Sequence, residues 1–546
     1  MLTLLLSISA ICLNFYLYWL RRGKMMLFKD LGLPGPTPNT IFGNLIDIKK
    51  KGLGKCLQEW SQAYGKVYGY FEGPDAVLVT SDVDLLKRVY VKDFKHFSKR
   101  KLYPLAPDSD KDEFIHLFLA HGTRWKRLRR LLSPTYSSAK LKQLLPAIDS
   151  SIKRYLQYID VESSHQTDGI DIYSHLQPMT LDIIGTTAFG IEISSSSQEN
   201  KDFLYHCKKI FSRVNPREKR PLGFLLIFTF ATLFPELNAI WKPINELYKK
   251  LNPKEGFQWI LEKAGEMIEY RNSSKEQSND FIQLMLNAVV DDSQIPDYLM
   301  EMRNDDQCTD INQNQEENSS TMAPTPVPIV RKSDKILTLS EMKANSGLFL
   351  LAGYESIAAS TAYVLYELAL NGNEQDIVNK EIEATIGAEN IIDYQMVKQL
   401  RYLDMVIFET LRLHPGSVSA VARRSCADFV VDEKTIPSGT LVTADIHTIH
   451  RDIKHWGPED TNLFIPERFS TERKAERHPI AFLGFGAGPR NCIGMRFALL
   501  EMKMILVRLL QQYRVEPCAK TEVPLPKVEQ TATVPTNGVH VRLVKR

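Results

Sequence analysis

The chain has 546 residues, and 44% of them are hydrophobic, enough for one large core or several smaller ones. Its formal net charge is only +3, and it carries no arginine-rich arm or zinc-finger spacing, so the composition argues against a nucleic-acid-binding protein. The seven cysteines include no C-x-x-C pair, which excludes the common zinc and iron–sulfur spacings and suits a chain without disulfides.

The first segment in chain order is a nearly uncharged run over residues 2–20, followed by three basic residues. Such a run is about as long as a helix that crosses a bilayer, although a buried core helix is the alternative. Because the positive charges follow the run, the positive-inside rule places the rest of the chain in the cytosol. We therefore predict a membrane signal-anchor over residues 1–24 and a proline-rich hinge over residues 25–45.

Helical periodicity dominates residues 46–546, while the short apolar stretches Lys66–Phe71 and Ala76–Thr80 are typical of strands in a small sheet. We predict one domain that is mainly α with small β-sheets, an α+β fold. Residues 303–335 are rich in Asn, Gln, Glu, Ser and Pro, and this composition predicts a disordered insertion. The apolar residues 221–235 are too few to span a bilayer and fit either a segment that dips into it or a core helix.

The basic stretch His121–Arg130 places Trp125 and Arg129 four residues apart, and hence on one face of a predicted helix. An ordinary basic surface helix with one packed tryptophan is the alternative. Three further basic residues of this stretch are candidates for contact with an acidic protein surface, although a solvated face explains them equally well: Lys126, Arg127 and Arg130.

A capping box at Thr338–Glu341 begins a mostly apolar segment that runs to the stop at Asn371–Gly372, so we predict one long helix of about 50 Å. Gly353 lies at its centre and costs a helix interior about 1 kcal/mol relative to alanine, which suggests a close packing contact. Glu355 and Ser356 add polar groups there. The alternative is a tolerated glycine beside polar residues that face solvent.

Two later motifs carry acidic and basic side chains. Glu409 and Arg412 lie three residues apart on one face of a predicted helix that Pro415 ends. Arg468 follows a proline and a glutamate in a predicted loop. A solvated surface contact is the alternative for such a pair.

The stretch Phe485–Gly494 reads FGAGPRNCIG and places Cys492 just before an apolar segment with helical spacing, Met495–Leu510. At a helix N-terminus, free N–H groups and the helix dipole favour a thiolate, so this sulfur is suited to be a ligand or a nucleophile. A buried, inert cysteine is the alternative.

Together these motifs resemble those of the cytochrome P-450 superfamily of haem-thiolate monooxygenases, over nearly the whole chain. The haem-loop signature F-x-x-G-x-R-x-C-x-G is matched by Phe485, Gly488, Arg490, Cys492 and Gly494. The family's other motifs are matched by Trp125 and Arg129, by Gly353, Glu355 and Ser356, and by Glu409, Arg412 and Arg468. The resemblance is to the microsomal animal type, nearest to the drug-metabolising clan.

The resemblance implies a P-450 fold in which a haem lies between the long central helix and the cysteine loop. Cys492 would be the axial ligand of the haem iron. The other cofactor-binding residues would be Arg490, Phe485, Gly488, Gly494, Trp125 and Arg129, with the two arginines and the tryptophan at the haem propionates. The oxygen-activating, catalytic centre would comprise Glu355, Ser356 and Gly353. A buried structural triad would be formed by Glu409, Arg412 and Arg468.

The resemblance also implies a reaction with its cofactors and partners. One oxygen atom of dioxygen would enter an apolar small molecule beside haem b, iron protoporphyrin IX, and the other would leave as water. Electrons from NADPH would arrive through a separate protein, NADPH–cytochrome P-450 reductase, with cytochrome b5 as a further candidate partner. The expected location is the endoplasmic reticulum membrane, crossed once, with the catalytic domain on its cytosolic side.

One departure from the family pattern bears on the reaction. Ser356 stands where the family usually has threonine, and members that lack a hydroxyl there include enzymes that rearrange peroxides without a reductase. Serine keeps the hydroxyl and so favours monooxygenation. A reductase-independent haem-thiolate isomerase is the alternative enzyme, and a non-catalytic haem sensor is the alternative of another class.

Overall fold

The structure of the chain is a computed structural model, and it describes most of the residues. The described residues are 19, 21–102, 105–165, 168–190, 202, 205, 206, 209, 222–251, 257–274, 280–287, 337–387, 391–529 and 532–546. The predicted apolar run over residues 2–20, apart from Trp19, and the predicted insertion over residues 303–335 lie outside the described residues, and both stay predictions.

The described residues are mostly helical, as the periodicity predicts. The helices are α1 (Leu27–Asp30), α2 (Leu45–Lys51), α3 (Leu53–Tyr64), α4 (Val83–Lys87), α5 (Gly122–Leu132), α6 (Ser138–His165), α7 (Ile172–Ile184), α8 (Leu222–Leu233), α9 (Asn238–Leu251), α10 (Phe257–Ser274), α11 (Phe281–Leu286), α12 (Leu339–Leu370), α13 (Gly372–Thr385), α14 (Tyr394–Gln399), α15 (Arg401–Leu413), α16 (Ile446–Ile449), α17 (Ile453–Trp456), α18 (Thr471–Glu476) and α19 (Met495–Gln512).

Small sheets complete the fold. The strands are β1 (Val67–Glu72), β2 (Asp75–Thr80), β3 (Lys99–Arg100), β4 (Ile170–Asp171), β5 (Arg423–Arg424), β6 (Phe429–Val431), β7 (Lys434–Ile436), β8 (Leu441–Ala444), β9 (Tyr513–Glu516), β10 (Lys527–Glu529), β11 (Thr533–Pro535) and β12 (His540–Lys545). A five-stranded sheet has the order β1-β2-β8-β5-β3, a three-stranded sheet the order β4-β12-β9, and β6-β7 and β10-β11 are two-stranded. The two predicted strands are β1 and β2, which pair antiparallel from Val67 opposite Thr80 to Glu72 opposite Asp75.

The chain divides into two compact units. The first comprises residues 1–106, 216–253 and 417–452 and contains the five-stranded sheet. Its apolar core includes Leu57, Trp60, Tyr68, Tyr70 and Val79, which join α3 to the β1–β2 hairpin. The division into an anchor, a hinge and a single domain over residues 46–546 stays a prediction.

The second unit comprises residues 107–215, 254–416 and 453–546, and α12 runs through it. The capping box is present: the Glu341 N–H donates to Thr338 Oγ1 at 3.2 Å, and the Thr338 N–H donates to Glu341 Oε2 at 3.2 Å. In the described part of the chain, α12 alone is long and apolar enough to cross a membrane, but 72% of its most apolar window is buried inside the protein. It is the core helix of this unit.

Gly353 explains how closely α7 packs on α12. A Cβ atom at this position would lie 2.9 Å from Cδ1 of Ile184, the last residue of α7. The missing side chain therefore leaves room for Ile184, so the suspected close contact at Gly353 is made by a neighbouring side chain.

Candidate functional site

The cysteine loop turns sharply so that Cys492 precedes a helix. Gly486 and Gly488 adopt positive φ angles of 73° and 69°, a conformation that residues with a side chain rarely adopt. The Cys492 N–H donates to the Phe485 carbonyl at 2.9 Å, which closes the loop. Helix α19 begins at Met495, as predicted, and the Cys492 side chain is exposed. The loop thus presents a thiol beside a helix N-terminus.

Two arginines, Arg129 of α5 and Arg490 of the loop itself, connect the loop with α5. Arg129 donates through Nη1 to the Asn491 carbonyl at 3.0 Å and through Nη2 to Asn491 Oδ1 at 2.7 Å. Arg490 is only 3% exposed, donates through Nη2 to the Ala120 carbonyl at 2.6 Å, and lies 4.6 Å above the Trp125 ring. Residues of α5 are thereby joined to the cysteine loop, more than 350 positions away in the sequence.

The charge of Cys492 affects the pKa values of two neighbouring side chains. Burial lowers the pKa of Arg129 to about 10, while the charges of Cys492 and Tyr136 act in the opposite direction. Burial raises the pKa of Tyr136, and the charge of Cys492 adds to that increase. A thiolate at Cys492 would therefore be stabilised by Arg129, since opposite charges at short range favour each other's ionised form.

The residues around the cysteine loop fit a haem. The Nε atom of Arg129 is buried and, within the described ranges, has no hydrogen-bond partner, so it can still bind an acidic group of a ligand. No group of three or more His, Cys, Asp or Glu in the described part of the chain could hold a metal ion. In a haem the protein supplies the axial ligand of the iron, and the exposed Cys492 thiol can be that ligand.

The centre of α12 carries its two polar groups on different sides. The Glu355 carboxylate is buried and accepts hydrogen bonds from Tyr173 Oη and from Gln177 Nε2, the latter at 3.3 and 3.4 Å. Burial raises the pKa of Glu355 to about 7. The Ser356 hydroxyl instead donates to the Ala352 carbonyl at 2.5 Å. The structure thus brings Gly353, Glu355 and Ser356 to one level of the helix without joining the carboxylate to the hydroxyl.

Glu409, Arg412 and Arg468 lie together in the core. Arg412 donates through Nε and Nη2 to the two carboxylate oxygens of Glu409 at 2.7 and 2.6 Å, and Arg468 Nε lies 3.5 Å from Glu409 Oε1. All three side chains are at most 1% exposed. A pair that is usually a surface contact is therefore fully desolvated here.

Backbone carbonyls of the following loop bind the same arginines. Arg412 Nη1 donates to the Thr461 carbonyl at 2.7 Å, and Arg468 Nη2 donates to the Asp460 carbonyl at 2.7 Å. The Ile465 N–H donates to Glu409 Oε1 at 3.0 Å. The cluster therefore ties α15 to residues 460–468. Phe408 of α15 packs on Phe485 of the cysteine loop, with ring centroids 6.4 Å apart, so the cluster supports that loop through α15.

The basic residues of α5 differ in their surroundings. Lys126 is exposed, and Arg127 forms an ion pair with the buried carboxylate of Glu341. Arg124 binds the same carboxylate at 3.0 Å. Lys126 therefore remains accessible and Arg130 is half-buried, whereas Arg127 is engaged in holding the start of α12.

Sequence reasoning did not identify Tyr173, Gln177 and Asn491. Tyr173 and Gln177 are four residues apart in a largely apolar helix, and this spacing is a signal for one shared face. Asn491 lies beside Cys492, and its side chain and carbonyl both bind Arg129. These residues meet their partners only when elements that are distant in the sequence pack together.

The chain is similar in sequence to known proteins of one family. A family model described as Cytochrome P450 matches residues 33–323 and 311–542. The chain is 33% identical over 533 residues to Cytochrome P450 3A29 of Sus scrofa, with 95% of this chain and 92% of that protein covered. It is 33% identical over 554 residues to Cytochrome P450 3A5 of Homo sapiens, with 100% and 96% covered. The identity is 32% over 534 residues to Cytochrome P450 3A13 of Mus musculus, with 95% and 92% covered.

Proposed function

The chain belongs to the cytochrome P450 family of haem monooxygenases, and from that premise we propose that it inserts one oxygen atom of dioxygen into an apolar small molecule. We propose further that the electrons come from NADPH through a separate reductase. The predicted membership of the cytochrome P-450 superfamily is confirmed, and with it an oxidoreductase that uses haem iron.

One observation carries the proposal. The exposed Cys492 thiol lies beside the N-terminus of α19, and its charge interacts with the charge of Arg129. A haem bound here would supply the redox chemistry of oxygen transfer. Cys492 would ligate its iron, and the loop amides and the helix dipole would stabilise the thiolate. Arg129 and Arg490 would bind the carboxylates of the haem, with Trp125 packed beneath Arg490.

Protons for the reaction would come from the centre of α12. The Ser356 hydroxyl can pass on a proton when it rotates away from the Ala352 carbonyl, because a hydroxyl both accepts and donates. The Glu355 carboxyl, whose pKa burial raises to about 7, can give and regain a proton near neutral pH. We assign these two residues the catalytic proton transfers.

The reaction class is tested with purified protein, purified NADPH–cytochrome P-450 reductase and dioxygen. NADPH oxidation that depends on an apolar substrate and yields an oxygenated product supports the monooxygenase. Turnover of a lipid hydroperoxide without reductase would instead identify the isomerase, and spectral haem binding without either turnover would identify the sensor. A screen of apolar compounds by the change they cause in the haem absorption spectrum finds the substrate class.

Removal of the Ser356 hydroxyl is expected to uncouple the reaction. Ser356→Ala should bind haem normally and consume NADPH, but form several-fold less product and more hydrogen peroxide per NADPH. The loss of product per NADPH should be smaller than the factor of about 10² that a positioned proton donor typically contributes, because water partly replaces the hydroxyl. Ser356→Thr is the matched control and should remain coupled. Unchanged coupling in Ser356→Ala would contradict the proton-transfer role of this serine.

We propose that the protein is anchored to the endoplasmic reticulum membrane by its N-terminal run, and that apolar side chains of the first unit rest on the same bilayer. Helix α9 exposes Ile240, Ile244, Leu247 and Leu251 along one stripe, as an interfacial helix does. Arg21, at the end of the run, is buried, lies 4.6 Å from the Phe234 ring and pairs with Glu236 at 3.2 Å. Arg21 is thus held beside the end of helix α8, so a deletion should stop before Arg21.

Deletion of residues 2–20 is expected to release most of the protein from sedimenting membranes while leaving its haem content unchanged. The apolar run supplies the greater part of the membrane affinity, and the folded part keeps Arg21 and its contacts. Co-sedimentation with phospholipid vesicles measures the release. In the shortened chain, Leu247→Ser should weaken the remaining vesicle binding. A glycan on Asn318 of the full chain would contradict the cytosolic orientation.

A further inference from the structure

The Glu355 carboxyl lies on the α7 side of the long helix. Tyr173 Oη donates to its Oε1 atom, and Gln177 Nε2 lies 3.3 and 3.4 Å from its two oxygens. Tyr173 and Gln177 are one helical turn apart, so both project from the face of α7 that packs on α12. The two donors therefore hold one carboxyl from the same direction.

Among the described residues, few other groups can bind the Glu355 carboxyl in place of Tyr173. Glu355 is 7% exposed and Tyr173 is 9% exposed, so water does not readily replace the tyrosine. On α7 itself, Asp182 is bound by Arg154 at 2.7 Å and His175 faces Glu162 at 3.3 Å, both away from Glu355. Along α12, Tyr363 is a titratable neighbour of Glu355. Burial raises the pKa of Tyr363, and the charge of Glu355 adds to that increase.

We propose that Tyr173 and Gln177 are positioning residues, which hold the Glu355 carboxyl on the α7 side of the long helix and set how readily its proton moves toward Ser356. This inference rests on the proposed monooxygenase function, in which Glu355 and Ser356 transfer protons. A proton passes from the Glu355 carboxyl through a solvent water to the Ser356 hydroxyl, which gives up its own proton to the water formed from the second oxygen atom, and solvent then protonates Glu355 again. Nothing is oxidised or reduced in these steps.

The physical reason is the difference between the two states of the acid. A hydroxyl that donates to a carboxylate stabilises the ionised form and so lowers the pKa of the carboxyl, against the effect of burial. Without Tyr173 Oη, the acid should keep its proton to a higher pH and release it less readily. Tyr173 therefore acts through Glu355 and contacts neither substrate nor cofactor in this scheme.

The first test measures the acid itself in the haem-loaded protein by infrared difference spectroscopy. The band of the protonated carboxyl that disappears in Glu355→Gln identifies Glu355, and in the parent it should titrate near pH 7. In Tyr173→Phe the midpoint should rise by about one pH unit. Tyr366→Phe is the matched control: it loses one hydrogen bond of α12, to the Glu522 carbonyl at 3.1 Å, and should leave the midpoint unchanged.

The second test measures product formed per NADPH over a range of pH. Tyr173→Phe should shift this profile toward higher pH and lower the coupling several-fold, with the KM for substrate unchanged. In a Glu355→Gln background, Tyr173→Phe should add no further loss, because both changes act on one proton transfer. If Tyr173→Phe fails to fold, Gln177→Leu should shift the infrared midpoint in the same direction.

An unchanged infrared midpoint and an unchanged coupling profile in Tyr173→Phe would overturn the inference. So would a loss of thermal stability and haem content with the parent's midpoint, since a purely structural role predicts that pattern. A parent protein that oxidises no NADPH with reductase would contradict the proposed function instead, and the infrared titration would still decide whether Tyr173 controls Glu355.

Discussion

Replacement of Cys492 by alanine is expected to abolish the strongly red-shifted absorption band that a thiolate ligand gives the ferrous carbon monoxide complex of haem. Substrate oxidation should fall below detection, because the thiolate donates the electron density that the oxygen chemistry requires. Cys492 alone among the cysteines stands in the loop that the Phe485 carbonyl closes and that Arg129 flanks through Asn491. The absorption spectrum of the reduced protein under carbon monoxide measures the effect.

The matched control is Cys426→Ala. This cysteine is also exposed, but it belongs to the first unit, near the five-stranded sheet. The band should keep its position and intensity in that variant. Retention of the band in Cys492→Ala, or its loss in Cys426→Ala alone, would show that the ligand assignment is wrong.

The second large effect is expected from the buried cluster of Glu409, Arg412 and Arg468. Arg412→Leu removes both hydrogen bonds from Arg412 to the buried Glu409 carboxylate, which keeps the Ile465 N–H at 3.0 Å and Arg468 at 3.5 Å. It also frees the carbonyl groups of residues 461 and 463. Loss of one partner of a buried pair costs about 3–5 kcal/mol, since the remaining charge stays out of water. The midpoint of urea unfolding should fall accordingly, and haem should dissociate faster because the cluster supports the cysteine loop.

An exposed ion pair provides the control for this prediction. Arg542 Nη2 lies 2.6 Å from Glu516 Oε2, with side chains 53% and 31% exposed. Arg542→Gln should change the free energy of unfolding by about 1 kcal/mol or less, because solvent screens such pairs. An Arg412→Leu protein with the unfolding midpoint of the parent would contradict the structural role of the cluster.

Local sequence signals predicted the elements that depend on neighbouring residues. The capping box sets the start of α12, since the first N–H groups of a helix need acceptors within a few positions. The apolar helical spacing that follows the glycine loop predicted the start of α19. The short apolar stretches identified β1 and β2 to within one residue at each end. The mainly α class with small sheets followed from the same patterns.

The partners of the site residues could not be predicted in this way. Spacing placed Glu409 and Arg412 on one helical face, but the burial that makes their pair structural arises from the chain segment 460–468 packing over it. Trp125 and Arg490 were associated only through the family resemblance, and the contact of the guanidinium with the ring arises from the packing of α5 against the cysteine loop.

Local patterns thus predicted helices α5, α12, α15 and α19, strands β1 and β2 and the thiol at a helix start, and the combined motifs predicted membership of the cytochrome P450 family. The tertiary structure decided which way each polar side chain faces. Glu355 and Ser356 are adjacent in the sequence, yet one binds α7 and the other the carbonyl of its own helix, because the rotation of α12 about its axis is set by packing. Spacing within a helix fixes the angle between two side chains, whereas the elements that surround the helix fix what each side chain meets.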